Sequence, residues 1–290
     1  MINLLFIYLA YILAIVTLLS LWMIKFRIFG YITITTSLVF ALLSGVLNLT
    51  GLLVICVIGI LIYLSFYFKD KKGVSLFFFI ISAVILFLNY MHFFPGFNNI
   101  CIIKNAQISQ DAIAFSLYLN YSSIIPTYFL LLFSSEIGIL ESSNKLLLII
   151  KSGIFYGLLA SFILIPISYL FDFIRFDFKL TQYTLVFIFV NLIFTCLPEE
   201  IFWRGFIQSR LEKYFNSIIA IIITSFAFAF IHIAFAGTRF ALLAFIASHI
   251  YGTAYSKTRK IEASIICHYL VNIGQFIFFT YPILAKAYPL

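Results

Sequence analysis

Long apolar runs, separated by short clusters of charged and turn-forming residues, follow one another along the chain from end to end. A run such as Leu52 to Phe68 has neither the period-two alternation of a half-buried strand nor the polar stripe of a surface helix. In hydrocarbon it can satisfy its backbone donors and acceptors only as a helix, and about twenty residues cross ~30 Å. The alternating pattern of a membrane barrel is absent. Charge clusters and turn formers cut the chain into approximate spans 3–24, 30–47, 51–68, 74–94, 122–141, 148–170, 181–209, 216–236, 239–256 and 261–281. The pattern predicts an all-α, polytopic integral membrane bundle of about 8–10 transmembrane helices. The spans 30–47 and 122–141 are the weakest.

Composition agrees: 64% of the 290 residues are apolar and 10% charged, which excludes a soluble domain with a charged shell. The first run, Ile2 to Met23, has no basic leader and carries Lys25 and Arg27 after it, so it reads as a retained span. The four cysteines, Cys56, Cys101, Cys196 and Cys267, lack metal-ligand spacing and read as small buried hydrophobes.

The net charge of +8 is spread singly between spans, so the expected partner is the bilayer and not nucleic acid. With the loop after the first span in the cytoplasm, Lys104, Arg175, Lys179, Arg239 and Lys286 are the bases left on the other face. That positive-inside bias puts both termini outside. The polar interruption from Gly96 to Ser123 is expected to be an external loop with room for a short surface helix. Intramembrane polar residues concentrate in the second half, suggesting accessory helices over 1–145 and a catalytic core over 146–290.

An ionisable side chain at the bilayer centre costs on the order of 2.5–3.5 kcal/mol, so such residues face a bundle interior and carry function. Three helices hold nearly all of them: Glu199, Glu200 and Arg204, then His232, then His268 and Asn272. Glu200 and Arg204, Phe228 and His232, and His268 and Asn272 are each four apart, on one helical face. A hairpin turn near Phe215 and Asn216 brings Glu199 and His232 to one depth. To level His268 with them, the segment 205–215 must project by about 10 Å, and Gln208, Arg210, Glu212 and Lys213 would suit the interface or cytosol. The site is then expected inside the membrane, opening towards the cytoplasm.

The order Glu-Glu-x-x-x-Arg, Phe-x-x-x-His, His-x-x-x-Asn on successive helices resembles the CPBP (Abi) intramembrane proteases. These include the type II CAAX prenyl endopeptidases and bacterial relatives linked to bacteriocin processing or self-immunity. The resemblance covers roughly residues 180–280. It implies a water activated by Glu199 and His232, an oxyanion faced by His268 and Asn272, and Glu200 held by Arg204. It favours no obligatory metal, although Glu199, His232 and His268 with an open position are also a catalytic zinc set.

The implied activity is an endopeptidase acting on a peptide or membrane-associated protein. Richness in Ile, Phe, Lys and Asn suits a bacterial cytoplasmic membrane, where leader peptides or terminal sorting segments are better expected substrates than prenylated ones. A non-catalytic membrane scaffold or bacteriocin-immunity protein is the alternative, and a transporter the more distant one, with no paired broken helices to support it. His249 shares a depth with His268 and reads as a bundle-facing or relay histidine; Glu136, Glu141 and Asn191 read as structural or interfacial.

Overall fold

The computed structural model describes residues 2–22, 26–133 and 145–288, so Lys25, Glu136 and Glu141 lie outside the described residues. Among the described residues, eight helices are long and apolar enough to cross a membrane. The chain forms two compact units, one of residues 1–100 and 119–135, the other of residues 101–118 and 136–290.

The first unit holds α1 (Ile2–Trp22), α2 (Arg27–Ser44), α3 (Leu49–Tyr67), α4 (Lys72–Tyr90) and α5 (Tyr121–Phe133). The run expected to span 122–141 is helical over Tyr121–Phe133 as α5, and its residues 134–141 lie outside the described residues. Nearly all of α5 is buried, as expected of a helix enclosed by neighbours. Its two tyrosines use their hydroxyls there: Tyr128 donates to Ala14 O, and Tyr121 pairs with Ser37, which donates to Ala10 O at 2.7 Å. Cys56 is exposed on α3, contrary to the buried reading, whereas Cys196 and Cys267 are buried.

The segment after Gly96 differs from expectation. Instead of a surface helix it forms a two-stranded sheet, β1 (Ile100–Ala106) against β2 (Phe115–Leu119). Ile100, Ile102, Tyr118 and other branched or aromatic residues favour a pleated surface, a signal masked in the sequence by the polar residues around them.

The second unit is built from α6 (Leu146–Leu170), α7 (Thr184–Leu211), α8 (Ser217–Ala234), α9 (238–258) and α10 (Ile261–Phe278). α8 and α9 are the arms of one helical stretch that turns back at Ala236 and Gly237, the glycine at φ 79°. The Phe226–Phe245 ring contact and the closeness of Gly252 to Ile221 show the arms running antiparallel.

In lipid, helices associate through close packing more than through apolar burial, and small residues permit it. Gly153 and Gly157, one turn apart on α6, do this against α10. A Cβ at Gly153 would lie 2.7 Å from Ile266 Cβ and 3.0 Å from Ala263 O. α6 and α10 are thereby locked face to face.

Beyond α6 and α10, the segments 109–113, 171–180 and 279–286 form a cap. Ala112 bridges Leu284, Phe176 bridges Phe279, and Leu284 N donates to Phe173 O at 2.8 Å. Phe187 and Phe276 stack beneath it with ring centroids 4.0 Å apart.

Candidate active site

α7 is an irregular helix. Two π-helical stretches, Leu192–Cys196 and Ile201–Gln208, flank a four-residue α segment, Leu197–Glu200. Pro198 supplies a cause, since it has no N–H to donate to the preceding turn and its ring crowds the carbonyl there. Widened turns of this kind recur at functional sites. Both glutamates lie in the short segment between them, so the side chains of one helix fan out over a wider arc than a regular helix allows.

Glu200 is the centre of the cluster. It is fully buried, and its Oε1 accepts from Arg204 Nη1 at 3.1 Å and from His268 Nδ1 at 2.8 Å. Arg204, also fully buried, donates through Nη2 to Ser248 Oγ at 2.7 Å and Ser248 O at 2.9 Å. Its guanidinium lies 5.3 Å from the Phe228 ring centre and 5.4 Å from that of Tyr251. A buried charge is tolerated when paired and hydrogen-bonded, and Arg204 meets both conditions.

The imidazole of His268 is fixed on two sides. Tyr251 stacks on it at 4.7 Å and 17°, while its Nδ1–H goes to the carboxylate. His232 is fixed similarly: its Nδ1 lies 2.7 Å from Phe228 O, and a carbonyl oxygen can only accept, so that nitrogen carries the proton. Phe228 and Phe240 flank its ring. Both histidines therefore keep Nε2 uncommitted to these bonds. Asn272 donates to Asn191 Oδ1 at 3.3 Å and to the weak acceptor Cys196 Sγ at 3.6 Å.

His232, His268 and Asn272 line one cavity of about 460 Å³ between α6, α8, α9 and α10. Its other walls are mostly apolar, and it reaches the cap at Phe173, Phe279 and Ile283. The lining includes neither Glu199 nor Glu200. Glu199 is half-buried, and among the described residues no hydrogen bond joins it to His232. The two do share a level, because Trp203 meets Phe228 across the α7–α8 hairpin at 5.6 Å.

The structure thus brings Glu200, Arg204 and His268 into direct contact and gathers His232, His268 and Asn272 around one space. It leaves Glu199, next to Glu200 in the chain, without a bond to them among the described residues. His249 does not touch this cluster; it lies by Phe245, and Tyr251 takes the place against His268 that equal depth suggested for it. Gln208 and Arg210, expected to suit the interface or cytosol, are buried within the protein.

Two positioning residues, Ser248 and Tyr251, went unassigned in the sequence, and a third, Asn191, was read only as structural or interfacial. An asparagine within an apolar run was a signal for the last, but one tyrosine among 18 offers none. As for a metal, among the described residues no group of three or more His, Cys, Asp or Glu side chains is placed to hold one.

No curated protein and no solved structure matches the chain. Residues 181–274, which contain all six residues from Glu199 to Asn272 named above, match the family model described as type II CAAX prenyl endopeptidase Rce1-like, and over that stretch the chain is similar to that family.

Proposed function

We propose that the second unit is an intramembrane endopeptidase that hydrolyses a peptide bond of a peptide or membrane-associated protein with an activated water. The observation that carries this reading is the commitment of Glu200. Its Oε1 is held by Arg204 and His268, whereas its neighbour Glu199 has no such partner and is half-buried. A general base must be free to take a proton, and Glu199 is the carboxylate of the pair that is.

In this mechanism Glu199, with His232 Nε2, takes a proton from water as the oxygen attacks the carbonyl carbon. The tetrahedral oxyanion is met by His268 in its doubly protonated form, which gives Nδ1–H to Glu200 and Nε2–H to the oxyanion, and by Asn272, whose N–H towards the Cys196 sulfur is the more weakly held and the easier to redirect. The proton then passes to the amine nitrogen as the C–N bond breaks. The apolar cavity walls, with few polar groups, suit an uncharged segment of substrate. A bacterial cytoplasmic membrane is the location this reading assumes, with the turn at residues 258–261 on the cytoplasmic side, supported by the distribution of basic residues.

The test is cleavage of a membrane-tethered reporter by the purified full-length protein in proteoliposomes. Wild type is expected to cleave, with Glu199→Gln and His232→Ala reduced by about 100-fold or more. Equal cleavage by wild type and both variants sinks the assignment of the base, and binding of a partner without cleavage by wild type favours a non-catalytic scaffold.

A further inference from the structure

Glu200, Arg204, Gln208 and Glu212 follow at intervals of four along α7 and its C-terminal end, as two bonded pairs in succession. Arg204 bonds Glu200 at one end. At the other, Gln208 Nε2 donates to Glu212 Oε1 at 3.1 Å and to Gly252 O at 3.0 Å. Arg259, from the α9–α10 turn, pairs with Glu212 and is 60% exposed. This column of residues therefore leads from the core of the candidate site to the surface.

Its polar capacity is not used up by the protein. Glu200 Oε2, Arg204 Nε and Gln208 Oε1 are buried without a hydrogen-bond partner among the described residues. The same holds for Thr224 Oγ1 and Ser225 Oγ on α8, and in the α8–α9 register Ser225 lies level with Ser248, the other partner of Arg204. All five residues are at least 99% buried. α9 gives way at this point: a Cβ at Gly252 would stand 2.7 Å from Gln208 Oε1. Interiors seldom leave such a series of buried polar atoms unpaired, and ordered water is the usual partner where the protein supplies none.

We propose that a file of ordered water molecules runs along this column, from the Glu212–Arg259 pair to the Glu200 carboxylate, with Gln208 as its positioning residue. The hydration of the column is independent of catalysis. Its use as the supply of the attacking water rests on the hydrolase reading above.

An experimental structure of the full-length protein, at a resolution that shows ordered water, decides the first part. Water peaks are expected within hydrogen-bonding reach of Gln208 Oε1 and Glu200 Oε2 in wild type and lost near residue 208 in Gln208→Leu. Well-defined side chains without such peaks in wild type overturn the proposal. If Gln208→Leu does not fold, Gly252→Ala serves, because its methyl takes the space of Gln208 Oε1.

The supply role is read in the reporter assay: Gln208→Leu lowers kcat about tenfold with KM nearly unchanged, and Gln208→Glu restores it. Water peaks present in wild type but a kcat indifferent to Gln208→Leu overturn the supply role alone. A wild type that cleaves nothing overturns the hydrolase reading, and the water peaks still decide the column.

Discussion

His268 Nδ1 stands 2.8 Å from Glu200 Oε1, although 68 positions separate them in the chain. The contact divides two adjacent carboxylates into different tasks. Glu200 becomes the joint between α7 and α10, and through Arg204 and Ser248 the joint extends to α9. Glu199, one residue earlier, is left outside these bonds. An imidazole anchored at Nδ1 by a carboxylate is also oriented at Nε2, so the joint fixes the direction in which His268 faces the cavity.

Removing one member of this joint leaves a buried charge unpaired, which costs far more than an intact pair contributes. Arg204→Met is expected to destabilise the protein by about 3–5 kcal/mol. Arg204→Met combined with Glu200→Gln should be less damaging than the sum of the two single changes. Denaturation of all three variants in detergent checks this, and strict additivity would contradict the coupling.

Glu199→Gln and Glu200→Gln should separate by phenotype. The first is expected to unfold as wild type does and to lose reporter cleavage by about 100-fold or more. The second is expected to lose both stability and cleavage, because Gln cannot return the charge that Arg204 requires. Thermal unfolding beside cleavage rates distinguishes them, and a stable, inactive Glu200→Gln would reverse the assignment of the base.

The helices were legible because a membrane span must be both apolar and helical, leaving few other readings for runs such as those of α3 and α4. Level was legible too. The midpoint of the α7–α8 hairpin put Glu199 and His232 at one depth, and the Trp203–Phe228 contact has the same register. Direction around the helix was not, because the π-helical stretches on either side of residues 197–200 rotate side chains away from the positions a 3.6-residue period assigns. Pro198 was the visible sign of that irregularity. The burial of Gln208 was hidden for a different reason: its partner on α9 is the Gly252 carbonyl, a backbone group that leaves no mark in an apolar sequence.

Acid should loosen the cap of the second unit. The Asp172 carboxyl is held below its ordinary range, first by the hydrogen bond from Lys286 and then by its charge. Burial pushes Asp177 upward, but hydrogen bonds from Ser109 and Lys179 outweigh it and leave that carboxyl depressed as well. A carboxylate whose folded pKa is depressed contributes stability above its unfolded value, near pH ~4, and loses it as pH falls through the folded value. Amide exchange across residues 279–288 is therefore expected to be slow at neutral pH and to accelerate, after correction for the intrinsic rate, below about pH 4. Asp172→Asn should show part of that acceleration already at neutral pH, and a wild-type profile flat in pH would show that these pairs do not hold the cap.

The orientation of His268 also depends on how closely α10 approaches α6, which Gly153 permits. Gly153→Leu must displace either Ile266 or the Ala263 carbonyl, neither of which is the far end of a flexible chain. Overpacking of this kind costs about 1–3 kcal/mol, and a shift of α10 would pull His268 from Glu200. Because catalysis is more sensitive to sub-ångström displacement than folding is, the rate should suffer more than stability: a loss of cleavage of about 100-fold in protein that still unfolds cooperatively. Gly73→Leu, on α4 with open space around it, is the control and should leave both quantities near wild type. If Gly153→Leu keeps full cleavage while Arg204→Met abolishes it, the catalytic geometry is set by the ion pair and not by the α6–α10 contact.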